Sequence, residues 1–152
     1  VLSLIVYTLI NVHNDISLSF AILLSCVMVV YAGDIVVPRA TSELSARHWL
    51  QLQWIGIVFV PAAYLHITDG IFRAQFPSVR RHAAVLGSYL LSAFLVPLVL
   101  FSDLLVTSVS YQPPLNVLKA GPLFPFFVVY YIGTLSYGVY TAYRGYQQAL
   151  TP

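Results

Sequence analysis

Four predominantly apolar stretches, each long enough to cross a bilayer, run through this chain and leave few alternatives to a membrane fold. A helix crosses a hydrocarbon core of about 30 Å with about 20 apolar residues. Residues 16–37, 49–72, 83–106 and 123–143 meet that length. A fifth apolar stretch, 1–12, rises only about 18 Å as a helix. It is expected to be the end of a longer span, because the first residue is Val and not Met. A cleaved signal peptide is the competing reading, although no basic n-region or small-residue cleavage site supports it. The sequence therefore predicts an all-α integral membrane protein. It forms a bundle of about five transmembrane helices, the first incomplete, as one membrane-embedded domain over residues 1–152.

Composition narrows the function classes. Charged residues make up 8% of the 152 and hydrophobic ones 59%, whereas a soluble domain carries about 25% charge. So few charges cannot solvate a globule. A transmembrane β-barrel would need alternating apolar and polar residues, and these runs are continuous. The net charge of +2 is small and scattered, which argues against a nucleic-acid partner. Cys26 is the single cysteine and can form neither an intrachain disulfide nor a zinc site by itself.

The connections are short. Residues 13–15 make a tight turn, 38–48 a longer loop, 72–82 a loop containing Pro77, and 107–122 a loop carrying Pro113-Pro114. Arg73, Arg80, Arg81 and Arg144 fall on one side of the membrane, and Arg39, Arg47 and Lys119 on the other. The concentration of three arginines between 73 and 81 assigns that loop and the C-terminus to the cytoplasm of a bacterial inner membrane.

Ionisable groups in or beside membrane helices are costly, and each is a functional candidate. His66 and Asp69, three apart on one helix, form a polar pair in which Asp69 would orient the His66 ring. The other ring nitrogen would then be available to a pigment; the simpler reading makes His66 an interhelical hydrogen-bonding group. His13, His48 and His82 lie in loops, so a bis-histidine haem lacks a second ligand at that depth. Neither a Cys-x-x-Cys-His nor a His-Glu-x-x-His pattern occurs, and no metal or cofactor is expected. Toward the opposite side, Asp34, Gln51, Gln53 and Asp103 are candidates for the floor of a ligand pocket, with Arg47 near enough to neutralise a carboxylate; solvated helix ends are the alternative. No catalytic constellation or phosphate loop is discernible, so no enzymatic activity is expected.

Pro61 and Pro97 fall inside spans and should kink them, since each removes a backbone donor. Thr134, Gly138 and Ala142 recur every four residues and form a small-residue packing face. That face is expected to carry the main contact with a partner helix, the alternative being another helix of the same chain. The mid-span tyrosines of this last stretch are read as packing residues.

Residues 49–66, with Trp49, Gly56 and Pro61 along one helix, and the Gly121-Pro122 step before the last span carry a family resemblance. The chain resembles the multi-helix N-terminal membrane region of bacterial sensor histidine kinases. The resemblance implies an input module whose last helix leads to a cytoplasmic signalling partner. No kinase, phosphoacceptor or nucleotide-binding segment lies within these residues, so the chain is expected to be part of a longer protein or to act alone. The alternative is an accessory transmembrane subunit of a respiratory or photosynthetic complex, packing against other helices and holding pigment, quinone or lipid.

Overall fold

The computed structural model describes residues 2–10, 15–73, 79–110 and 117–150. The elements are α1 (Leu2–Ile10), α2 (Asp15–Val36), a single 3-10 turn (Val37–Arg39), α3 (Glu43–Arg73), α4 (Val79–Phe101), strands β1 (Val106–Ser110) and β2 (Val117–Ala120), and α5 (Phe124–Leu150). The chain is mostly helical. Among the described residues, three helices are long and apolar enough to cross a membrane, α2, α3 and α4. This corrects the expectation of about five spans. The first apolar stretch yields only the nine residues of α1, about 14 Å long. The last yields a 27-residue helix whose six tyrosines lower its hydropathy.

The long helix α3 is the axis of the molecule, packed by α2, α4 and α5, while α1 lies on α2. Lipid tails are as apolar as leucine, so helices associate through close packing and not through hydrophobicity alone. The α2–α3 contact follows that rule: a side chain at Gly56 would run into the Cys26 carbonyl and Val30. Gly56 lets the two backbones touch. Both prolines lie inside continuous helices, Pro61 buried in α3 and Pro97 on the exposed side of α4.

The third apolar run does not remain helical to Val106. Ser102 donates its hydroxyl to the Leu98 carbonyl at 2.7 Å, occupying an acceptor at the end of α4. The chain then turns inward, and Leu105 and Val106 join Val58, Leu95, Val99 and Phe127 in the main buried cluster. From Val106 it forms an antiparallel hairpin with β2, irregular in register between Val106 and Val109. The residues 107–122 thus hold a hairpin in place of an unstructured loop, while Pro113-Pro114 lies outside the described residues. The hairpin base is closed by the Gly121 and Leu123 amides, which donate to the Leu105 and Leu104 carbonyls at 2.9 Å each. Any side chain at Gly121 would overlap the Leu104 carbonyl, which accounts physically for glycine ahead of Pro122. Trp54 then holds the start of α5 through Phe124 and Phe127, at ring-centroid distances of 6.0 and 5.5 Å.

Candidate functional site

At the hairpin end of the bundle the four polar candidates serve two different interfaces. Gln51 and Gln53 are two residues apart on α3, hence about 200° apart around it. Gln51 is buried and donates its amide to the Val99 and Leu100 carbonyls of α4, at 3.2 and 3.3 Å. Gln53 donates to Asp34 at 2.6 Å and to the Val30 carbonyl at 3.3 Å, both on α2. Asp103 pairs with Arg47 at 3.2 Å in an exposed salt bridge. These groups satisfy helix ends and tie α3 to its neighbours, and the helical spacing of Gln51 and Gln53 keeps them from sharing one floor.

Midway along the bundle lies a hydroxyl node that sequence reading missed. Ser92, fully buried on α4, donates to the Val58 carbonyl of α3 at 2.8 Å. That acceptor is one residue beyond Ile57, whose carbonyl loses its usual donor to Pro61. With the Ser92 proton committed to Val58, the single Tyr130 proton on α5 is shared between the Ser92 oxygen at 3.0 Å and the Ser88 carbonyl at 3.1 Å. Three helices are joined by two hydroxyl protons, next to the proline-weakened turn of α3. Ser88 and Ser92, four apart on α4, were the available sequence signal.

Beyond the node, toward the arginine-rich end, α4 and α5 both rest on α3 and pack little against each other. A groove of about 250 Å³ opens between them, floored by Leu65 and Leu91, walled by Gly87 and Gly133, and bounded by Tyr130 and Tyr137. No heavy atom lies within 4 Å of where a side chain would begin at Gly87 or Gly133. These two glycines create space, whereas Gly56 and Gly121 permit contact.

Leu65 and Tyr137 also line a separate cavity of about 10 Å³, the size of one water, together with Thr68, Asp69, Arg81, Val85 and Thr141. Arg81, read from sequence as a loop charge, is the third residue of α4. Its side chain is 12% exposed and that of Asp69 6%, with Nε and the carboxylate 3.6 Å apart. The attraction is Coulombic, since the distance exceeds that of a hydrogen bond. Nε and Nη2 of Arg81 are buried without a hydrogen-bond partner among the described residues. Asp69 also faces the exposed His82, 4.0 Å away.

His66 meets Tyr89 of α4, its Nδ1 3.2 Å from the phenol oxygen and the rings edge to face. His66 thus reaches Tyr89 and Asp69 reaches Arg81, both on α4. The Thr134–Gly138–Ala142 face turns inward: Thr134 and Gly138 are buried, and a side chain at Gly138 would overlap the Tyr64 ring of α3. At Gly138 the strip packs within the chain, the alternative named beside the expectation of a partner helix. The reason is steric, because the Tyr64 ring already occupies the space that Gly138 leaves. Among the described residues no three His, Cys, Asp or Glu side chains gather as a metal site would require.

No family model, curated protein or solved structure matches the chain.

Proposed function

We propose that the chain is a membrane-embedded sensory or regulatory input module, without catalysis of its own, and that it transmits the setting of α5 against α3 and α4. The observation that carries this reading is the Tyr130–Ser92–Val58 hydroxyl chain beside an open groove. A helix seated on one neighbour and tied to the other by a polar node can be biased by whatever fills the space between them. Any occupant with a higher affinity for one spacing shifts the population toward it. The node also abuts the Pro61 turn, so movement of α5 bears on the stretch of α3 from which proline removes a backbone donor. The resemblance of residues 49–66 to the membrane region of sensor histidine kinases agrees with this role. In this reading the Arg80-Arg81 end and the C-terminus face the cytoplasm of a bacterial inner membrane, and α5 leads to a cytoplasmic signalling partner. His66 is a bundle residue here, and no cofactor takes part.

A second reading is an accessory subunit of a larger membrane complex. It is favoured by the outer face of α5, where Val139, Tyr140, Tyr143 and Tyr146 are all exposed and suit packing against other helices.

Spin labels at Leu90→Cys and Ile132→Cys, both outward-facing, test the first reading in a Cys26→Ser background with the full chain in nanodiscs. The expected result is an α4–α5 distance distribution that broadens or lengthens when Ser92→Ala and Tyr130→Phe remove the node. One narrow distance, unchanged by both substitutions, would overturn it.

A further inference from the structure

We infer that the α4–α5 groove binds one anionic phospholipid, its acyl chain lying against Gly87 and Gly133 and its phosphate on the Arg81 guanidinium. The assignment takes the groove of the proposed function as its site and names the class of occupant.

Three observations converge on this ligand. The first is the unsatisfied donors. A buried guanidinium whose Nε and Nη2 lack acceptors carries the desolvation cost of those groups. Asp69 at 3.6 Å offsets the charge without accepting from Nε. A phosphate oxygen supplies the missing acceptor, and planar guanidinium donors suit it geometrically.

The second is depth. α4 has 23 residues, about 35 Å of helix, against a hydrocarbon core of about 30 Å. Its first turn, with Arg81, therefore lies at the level of the headgroups. From Arg81 to Leu91 the groove wall runs about 15 Å toward the bilayer centre, and it presents glycine, serine and leucine to an apolar chain.

The third is charge. Arg80, Arg81 and His82 lie together in the first turn of α4, with Asp69 facing Arg81 and His82. Arg80, His82 and Arg144 are exposed. A zwitterionic headgroup gains less there than an anionic one, because its own cation meets the same field.

Tyr137 lines both cavities and is the partition between chain and headgroup sites. Binding requires its partly exposed ring to turn outward, so that the water-sized cavity at Arg81 merges with the groove and admits a phosphate. That turn couples occupancy to α5.

The test uses the purified full chain in detergent, with bound lipid counted by native mass spectrometry. Phosphatidylglycerol and phosphatidylcholine of identical acyl chains are compared, with inorganic phosphate as a third probe. One phosphatidylglycerol per chain is expected, held about tenfold more tightly than phosphatidylcholine, because both bring the phosphate that meets Arg81 and only the choline headgroup adds a cation to the field of the arginines. Asp69→Asn/Arg81→Gln, which leaves no lone buried charge, should erase the preference. Gly133→Phe should fill the groove and lower binding of both lipids. Tyr137→Ala should strengthen phosphatidylglycerol binding.

Equal binding of the two lipids by the native chain overturns the assignment, as does a folded Asp69→Asn/Arg81→Gln variant that keeps the preference. Inorganic phosphate held as tightly as phosphatidylglycerol overturns it too, since the groove would then contribute nothing. The Leu90–Ile132 distance is read separately. Lipid-selective binding without a change in that distance supports the site and removes its signalling role; a mobile α5 without lipid selectivity does the reverse.

Discussion

The Tyr130 hydroxyl of α5 stands 3.1 Å from the Ser88 carbonyl and 3.0 Å from the Ser92 hydroxyl of α4. The two helices that flank the groove are tied at this node, and the node also reaches α3. Its strength is open to measurement. Polar contacts in membrane bundles average about 0.6 kcal/mol and reach about 1.7 kcal/mol. Ser92→Ala leaves the Val58 carbonyl without its hydroxyl partner and should cost about 1–2 kcal/mol. Tyr130→Phe should cost about 1 kcal/mol, since Ser92 keeps its bond to Val58. Reversible unfolding in mixed micelles would measure both, and the double variant should lose less than the sum because the hydroxyls share one network. Strict additivity would argue against a connected node.

The glycines of α5 should respond in opposite ways. Gly138→Leu pushes into the Tyr64 ring and should destabilise by about 1–3 kcal/mol through overpacking. Tyr64→Ala in the same chain should restore part of that loss. Gly133→Leu, where no atom lies within 4 Å, should be neutral or mildly stabilising, because leucine is also the better helix former. Thermal unfolding of the four variants reads the difference.

The two arginine–aspartate pairs should also differ. Asp69→Asn strands the Arg81 guanidinium, whose side chain is only 12% exposed; breaking a buried pair from one side costs about 3 kcal/mol or more. Asp103→Asn at the exposed pair with Arg47 should change stability by less than about 1 kcal/mol. Unfolding midpoints measured side by side, at low and high salt, should show the Asp103 effect vanish with salt and the Asp69 effect persist.

Val79 and Lys119 lie at opposite ends of α4, the first at its start and the second in the hairpin that follows it. Both are exposed. In a Cys26→Ser background, a membrane-impermeant thiol reagent applied to intact cells should modify Lys119→Cys and spare Val79→Cys until the cells are opened. The opposite pattern would invert the proposed orientation and put the arginine-rich end outside.

The membrane character of the chain was legible in its sequence because it depends on a local quantity, the length of an apolar run. The spans around residues 16–37, 49–72 and 83–106 each correspond to a long helix. Their ends were less legible. α3 begins at Glu43 and α4 ends at Phe101, since polar first turns and Ser102 capping decide where helices stop. Hydropathy alone does not register either effect. The hairpin at 106–120 escaped notice because its strands are short and its buried ends, Leu105 and Val106, read as the tail of an apolar span.

What the sequence determined by itself was the solvent of the protein and the positions of its prolines, its small residues and its few charges. Only the tertiary structure decided what those residues meet. Gly56, Gly87 and Gly138 are chemically identical. One admits a neighbouring backbone, one leaves open space and one seats a ring, because each meets a different neighbour. Asp69 faces Arg81, twelve residues on in sequence and on another helix. A side chain's neighbours across a helix contact are set by the rotation and crossing of both helices. Those depend on the whole packed set of side chains, and no local window of sequence contains them.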